Sequence, residues 1–592
     1  MTTTARETET PRGEPSTSPT ATRQRIDTGP GEAPEAAADA MTGLDMVLVD
    51  GARGPLRRLV PPVRTTVRFG ASLARRRDAV ARRTGTLVQD LARIVAGRSD
   101  IEASPKDKRF ADPAWTGNPV LHRAMQAHIA AARAAVGLVD DADLDWQDDE
   151  RIRFSVTNLV DALAPSNVPP LNPLMWKAVI DTGGKNAVAG LRRLVSDLAS
   201  PPRVPSMVEK DAFTVGEDLA VTPGAVVLRT PVFELIQYRP TTERVRAVPL
   251  VVVPPTINKY YITDLAPGRS IVEHYVAAGQ QVFTISWRNP TAEHADWGLD
   301  DYGQAVLDAM AAAEEITGSD RVALQAFCSG GIITSMVLAH LAGTGRLGRV
   351  AAASFAVTVL DWTRAGTVSA LMDPEAVQEA VQKSREKGYL DGAMLAEVFA
   401  WLRPNDLVWN YWVNNYLQGK PPPAFDILYW NADTVRMTAG LHRDFIDIAV
   451  HNSLTRPGTT TMLGSPVDLS AVDVDTYVTA GIADHLCPWQ ACYRTTQLLG
   501  GRSRFVLSTN GHIASLVNPP SNPKSTFQVA AETPADPDRW LASAEKVKGS
   551  WWPDFTAWLA ERSGDEVAAP QALGSPAHPP LDDAPGRYVH ET

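Results

Sequence analysis

Six short, nearly continuous apolar runs mark the chain from residue 248 onward: VPLVVVPP (248–255), QQVFTISW (280–287), RVALQAFCSGG (321–331), VAAASFAVTVL (350–360), VDTYVTAG (474–481) and SRFVLST (503–509). Runs that short, without polar alternation and separated by helical stretches, are strands buried on both faces of a parallel sheet. The pattern predicts an α/β domain over 236–570. Upstream, segments such as VLHRAMQAHIAAARAAV place apolar residues three and four apart, which predicts a helical N-terminal domain over 101–235. More than 100 residues separate VAAASFAVTVL from VDTYVTAG. That exceeds any ordinary crossover, so an insertion over about 362–470 is expected to form a cap above the active site. It carries WLRPNDLVWNYWVNNYL (401–417), whose aromatics serve either as packing of an ordinary insertion or as a shield against water. The two readings are compatible.

The ends read differently. Residues 1–40 are poor in aliphatics and rich in Thr, Glu, Pro and Ala, so burial cannot offset the entropy of ordering and a disordered leader is expected. Removing it is expected to shift the melting temperature by no more than about 2 °C, since a disordered segment has few native contacts to lose. Calorimetry checks this; a drop of many degrees would contradict it. Over 41–100, arginines including Arg57, Arg58, Arg64, Arg68, Arg75, Arg76, Arg77, Arg82, Arg83 and Arg93 alternate with Leu and Val, as in a basic amphipathic helix. That face is either solvated or in contact with an anionic or apolar surface. Residues 571–592 are rich in Pro and Ala and read as an extended tail.

Composition narrows the functional classes. With 44% apolar residues and 15 Trp the chain has material for a large core, and a formal charge of −11 argues against nucleic acid as a partner. No zinc-ligand spacing occurs, and no metal is expected. The three cysteines, Cys328, Cys487 and Cys492, make no disulfide framework and fit a reducing cytoplasm. Neither a signal peptide nor a run of about 18 apolar residues is present, so no transmembrane segment is expected.

In RVALQAFCSGGI a strand meets a helix at Ala326-Phe327-Cys328-Ser329-Gly330, the arrangement of a nucleophile elbow with Cys in the nucleophile position and Ala326 where Gly is usual. Alone, Cys328 reads equally well as a small buried apolar residue. Order along the chain favours chemistry. Asp484 follows the strand VDTYVTAG and His512 follows SRFVLST, so nucleophile, acid and histidine occur in sequence, each at the C-terminal end of a strand. The oxyanion would be held by the backbone N–H of Ser329 and a second N–H from the PPTINK loop, at Ile257 or Asn258. His485 and Cys487 beside Asp484, and Cys492 in the next helix, read as structural.

These motifs, together with DKRFADPAW, FSVTNLVDALAPSN, VVVPPTINKYYITDL, LRPNDLVWNYWVNNYL, PPAFDILYWN, AGIADHLCPW, STNGHIASLVNPP and GSWWPDFTAWL, resemble the polyhydroxyalkanoate synthases from about Asp107 onward. The chain is most similar to the single-subunit class II type. The resemblance implies an α/β-hydrolase fold and an acyltransferase that polymerises (R)-3-hydroxyacyl-CoA, preferentially medium-chain, through a thioester on Cys328 with release of CoA. It implies no separate cofactor, a homodimer, and a cytoplasmic location at the surface of a polyester granule. A short-chain synthase or a thiol hydrolase on the same fold are the alternatives. Asp484 would either orient His512 or help deprotonate the 3-hydroxyl; the second is expected, because a cysteine is already partly thiolate at neutral pH.

Overall fold

The computed structural model describes residues 61–363, 374–392, 400, 401, 404–484 and 486–592. The expected leader, the start of the basic segment and His485 lie outside the described residues.

Every apolar run becomes a strand of one eleven-stranded sheet. The strands are β1 (Gly224–Arg229), β2 (Phe233–Tyr238), β3 (Leu250–Val253), β4 (Val282–Trp287), β5 (Val322–Phe327), β6 (Val350–Ala356), β7 (Thr476–Gly481), β8 (Ser503–Ser508), β9 (Thr526–Val529), β10 (Glu545–Lys548) and β11 (Asp582–Asp583). Their spatial order is β10-β9-β8-β7-β6-β5-β3-β4-β2-β1-β11. From β4 to β8 all neighbours run parallel, and β3, β4, β5 and β7 are buried throughout, as helices on both faces require. Both edges are antiparallel additions.

The N-terminal boundary differs from the sequence reading. Helices end at Ala199, and β1 and β2 form a hairpin that joins the sheet, so the helical character expected up to residue 235 stops short. The hairpin escapes a period-based reading because β2 buries Glu234 completely. That carboxylate accepts from the backbone N–H groups of Arg587 and Tyr588, at 2.9 and 3.0 Å, and pairs with Arg229, which makes a charged strand residue tolerable in a core. Its two backbone donors stand more than 350 positions away. The expected extended tail is thereby fixed along the protein: β11 pairs with β1, and Tyr588 and Val589 are buried.

Within the basic segment, helices Val63–Arg75 and Arg77–Val95 spend arginines on acidic neighbours. Arg68 meets Asp148 at 2.9 Å and Arg83 meets Asp141 at 2.7 Å, while Arg76 pairs with Asp143. Part of the arginine face therefore holds the N-terminal helices together.

Between β6 and β7 the chain leaves the sheet. The stretch around 404–417 packs against the N-terminal helices: Trp412 Nε1 donates to Asn167 O at 3.1 Å, Asn186 Nδ2 to Leu417 O at 2.9 Å, and Tyr416 OH to Asp197 at 2.7 Å. A methyl added to Gly190 would sit 1.9 Å from the Tyr416 carbonyl, so the helix touches this backbone directly. These contacts favour packing over shielding as the work of Trp412 and Tyr416. A later aromatic, Trp430 in helix Asp426–Ala432, lines a pocket with Cys328 and His512.

Candidate active site

At the end of β5, Cys328 adopts φ +49°, ψ −118°, then helix Ser329–Gly343 begins. A side chain bears this strained geometry only where its surroundings enforce it. They do so here. Cys328 N donates to Ala356 O at 3.0 Å, and a Cβ on Gly330 would stand 2.5 Å from the Pro254 carbonyl, so only glycine lets the helix start against β3. Ala326 replaces the usual elbow glycine without strain, fully buried within the strand and opposite Val253 and Phe355. The Ser329 hydroxyl accepts from Thr256 N at 2.8 Å and so ties the 254–258 loop to the elbow.

The other two residues arrive from neighbouring strands. Asp484 follows β7 and turns back through a bond from its N to Gly481 O at 3.1 Å. One carboxylate oxygen, Oδ1, accepts from the N–H groups of Leu486 and Cys487, each at 2.9 Å; the other, Oδ2, meets His512 Nδ1 at 2.7 Å. His512 opens the short helix after β8 and is 1% exposed. With Nδ1 engaged, Nε2 is the atom left for Cys328, and His512, the Cys487 thiol and the Ser329 N–H are the groups that favour its thiolate.

The electrostatics follow from these contacts. The hydrogen bond from Cys487, then those from His512 and Ser329 and the charge of His512, pull the Cys328 thiol down to about 5 against the opposing effect of burial. Burial works against charge on His512 too, but the Asp484 carboxylate and the Cys328 sulfur overcome it and raise the imidazole well above its ordinary value. Both shifts favour the ion pair of thiolate and imidazolium over the neutral pair. Cys487 moves oppositely: its bonds to Cys328 and Cys492, with burial, push it well up, so it keeps its proton. Asp484, Cys487 and His512 bring polar atoms within 4.8 Å of one another, and Asp484 is hydrogen-bonded to both of the others.

A narrow apolar pocket adjoins the sulfur, lined by Pro255, Ile257, Ile262, Trp430, Ile513 and Leu516 beside Phe327, Cys328 and His512. A second, bordered by Trp552, shares Ile262, Phe327 and Leu516 with it. Of the two loop residues expected at the oxyanion, Ile257 lines the pocket; Asn258, at φ +64°, turns its side chain to Asn431 O at 3.2 Å. The sequence reading brought Cys328, Asp484 and His512 to one place but missed Cys487, although a second cysteine three residues past the acid was visible in ADHLCPW. It also missed Trp430 and Lys259. The Lys259 ammonium is buried, donates to Val589 O at 2.9 Å and bonds Glu591 O, while its carbonyl accepts from Trp430 at 2.7 Å, joining loop, tail and cap.

Comparison with known proteins agrees with this geometry. Residues 106–275 match the family model described as poly-beta-hydroxybutyrate polymerase (PhaC) N-terminus, and residues 249–519 match the alpha/beta hydrolase fold. Poly(3-hydroxyalkanoate) polymerase 2 of Ectopseudomonas oleovorans is 44% identical over 499 residues, covering 84% of this chain and 89% of the relative. Polymerase 1 of the same organism is likewise 44% identical, over 502 residues, covering 85% and 89%. The poly(3-hydroxyalkanoate) polymerase subunit PhaC of Cupriavidus necator is 40% identical over 503 residues, covering 84% and 85%. The chain belongs to the poly(3-hydroxyalkanoate) polymerases, acyltransferases built on the α/β-hydrolase fold.

Proposed function

We propose that the chain polymerises (R)-3-hydroxyacyl groups from their CoA thioesters, with medium-chain monomers preferred, through a covalent thioester on Cys328. The observation that carries this reading is the Cys328 sulfur, held by His512 at the mouth of a buried apolar pocket. In the first half-reaction the Cys328 thiolate attacks the substrate thioester. The developing oxyanion meets the N–H of Ser329 and a backbone N–H near Ile257. The C–S bond to CoA breaks, and the His512 imidazolium gives its proton to the leaving thiolate. Exchange of one thioester for another is near energetic balance. In the second half-reaction neutral His512 takes the proton of a 3-hydroxyl, that oxygen attacks the Cys328 thioester, and the sulfur leaves as thiolate. An oxygen ester is formed from a thioester, which runs downhill. CoA is substrate and product, and no further cofactor enters.

Both oxygens of Asp484 are in use and its side chain is fully buried, which supports the orienting role rather than the expected direct action on the 3-hydroxyl. The preference for longer side chains rests on the two contiguous pockets, since each buried methylene adds about 0.8 kcal/mol. Leu516 borders both. Leu516→Phe is expected to lower the ratio of kcat/KM for a ten-carbon over a four-carbon substrate by about 10-fold, through narrowing of the passage. Purified protein supplied with both substrates, with CoA and polymer measured separately, tests preference and reaction together. Chain growth supports the reading; free 3-hydroxy acid alone would favour a hydrolase.

A homodimer at the surface of a polyester granule in the cytoplasm completes this reading. Its support is an apolar face near the N-terminal end of the fold: Trp176 and Ile180, then Val188, Leu191, Val195 and Leu198 at helical spacing, are all exposed. Among the described residues no helix is long and apolar enough to cross a membrane.

A further inference from the structure

We propose that Cys487 is a positioning residue for acyl transfer, its thiol donating a hydrogen bond that holds the Cys328 sulfur in the nucleophilic form. The inference rests on the reading of Cys328 as nucleophile and adds a third residue, besides His512 and Ser329, to the groups that make it one.

The geometry places Cys487 for this task from two sides. Its N–H is held by Asp484 Oδ1 at 2.9 Å, so the carboxylate that orients His512 also fixes the turn that presents the second thiol. Its carbonyl accepts from the Cys492 thiol at 3.5 Å, which anchors the turn to helix Trp489–Leu498. The side chain is buried, and its sulfur lies within 4.8 Å of atoms of both Asp484 and His512, the histidine that also acts on the Cys328 sulfur. Among the described residues, the titratable groups facing Cys328 are His512 and Cys487; those facing Cys487 are Cys328, Cys492, Asp484 and His512.

A buried sulfur anion has lost its water and must find donors in the protein. His512 also donates while it is imidazolium, but it must pass that proton to CoA and regain one from the incoming hydroxyl. Cys487 takes part in neither transfer. Its bond is therefore available at the two moments when Cys328 carries negative charge: before attack on the substrate thioester, and as it leaves the acyl carbon. Cys487 keeps its proton throughout, as its upward shift requires. Cys492, one sulfur further back, supports Cys487 without touching the nucleophile.

The test uses the full chain and does not depend on polymer formation. Carboxamidomethylation of Cys328 by iodoacetamide is followed between about pH 4 and pH 9 for the wild type, Cys487→Val and Cys487→Ser, with peptide mass spectrometry to locate the label. Loss of the donor raises the thiol, so the Cys487→Val midpoint is expected to move up by about one pH unit, slowing alkylation about 10-fold on the acid limb. The hydroxyl of Cys487→Ser is expected to restore the midpoint to near the wild-type position. If Cys487→Val does not fold, Cys487→Ala takes its place. An unchanged midpoint in a folded variant lacking the donor would overturn the proposal and return Cys487 to packing, as would label on Cys487 of the wild type in place of Cys328. Full turnover by Cys328→Ala would instead overturn the nucleophile assignment, a separate failure.

Discussion

His512→Gln is expected to lower CoA release by about 1,000-fold or more, with a melting temperature close to that of the wild type. Glutamine nearly keeps the volume and can still donate to Asp484, so the fold loses little. What it lacks is a charge. Without the imidazolium beside it the Cys328 thiol rises toward its ordinary range, so at neutral pH most of the nucleophile is protonated, and no group accepts the proton of the incoming hydroxyl. The sign is definite: alkylation of Cys328 by iodoacetamide should shift to higher pH, and residual turnover should rise with pH as thiolate is restored. Single-turnover CoA release with circular-dichroism melting checks both parts. Near-normal turnover would remove His512 from the mechanism.

The second large effect is expected from Asp484→Asn, and the hydrogen-bond pattern dictates its form. Two backbone N–H groups, from Leu486 and Cys487, converge on Oδ1 and need an acceptor there. The asparagine oxygen must occupy that side, which turns its NH₂ toward His512 Nδ1. That nitrogen must then accept, the proton moves to Nε2, and the ring presents the wrong tautomer to Cys328. Acylation itself should slow by about 100-fold or more, and the initial burst of CoA should vanish. Were Asp484 instead acting on the 3-hydroxyl, acylation would survive and a stoichiometric acyl-enzyme would accumulate after one rapid release. Rapid-quench measurement of CoA per chain separates these outcomes.

The triad was legible in the sequence because its order is a property of the topology. Cys328, Asp484 and His512 each stand where a buried strand ends, and buried strands announce themselves as apolar runs. The strands β1 and β2 were not legible, since a strand containing Glu234 enters a core only when Arg229 and the amides of residues 587 and 588 neutralise it, and no local pattern encodes so distant a contact. Edge strands β9 and β10 are short, the first only half-buried and the second exposed throughout, so their runs are too weak to read. Length alone announced an insertion between β6 and β7. That Trp412 and Tyr416 would pack on the N-terminal helices while Trp430 faces the pocket depends on partners at least 170 positions away. Cys487 was visible as a letter but not as a neighbour of Cys328. The tight turn that brings the two sulfurs together is made by the carboxylate of Asp484, whose second oxygen has no sequence signature.

The central claim is that growth passes through a thioester on Cys328, and trapping that species tests it most directly. Full-length protein is mixed with (R)-3-hydroxydecanoyl-CoA, quenched in acid at early times and digested, and peptides are examined by mass spectrometry while polymer and free acid are measured in parallel samples. The account predicts 3-hydroxyacyl groups, singly and as short oligomers, on the peptide containing Cys328, their absence in Cys328→Ala, and polymer in large excess over free acid. Acyl groups on another residue, or steady CoA release that yields only free 3-hydroxy acid, would contradict it.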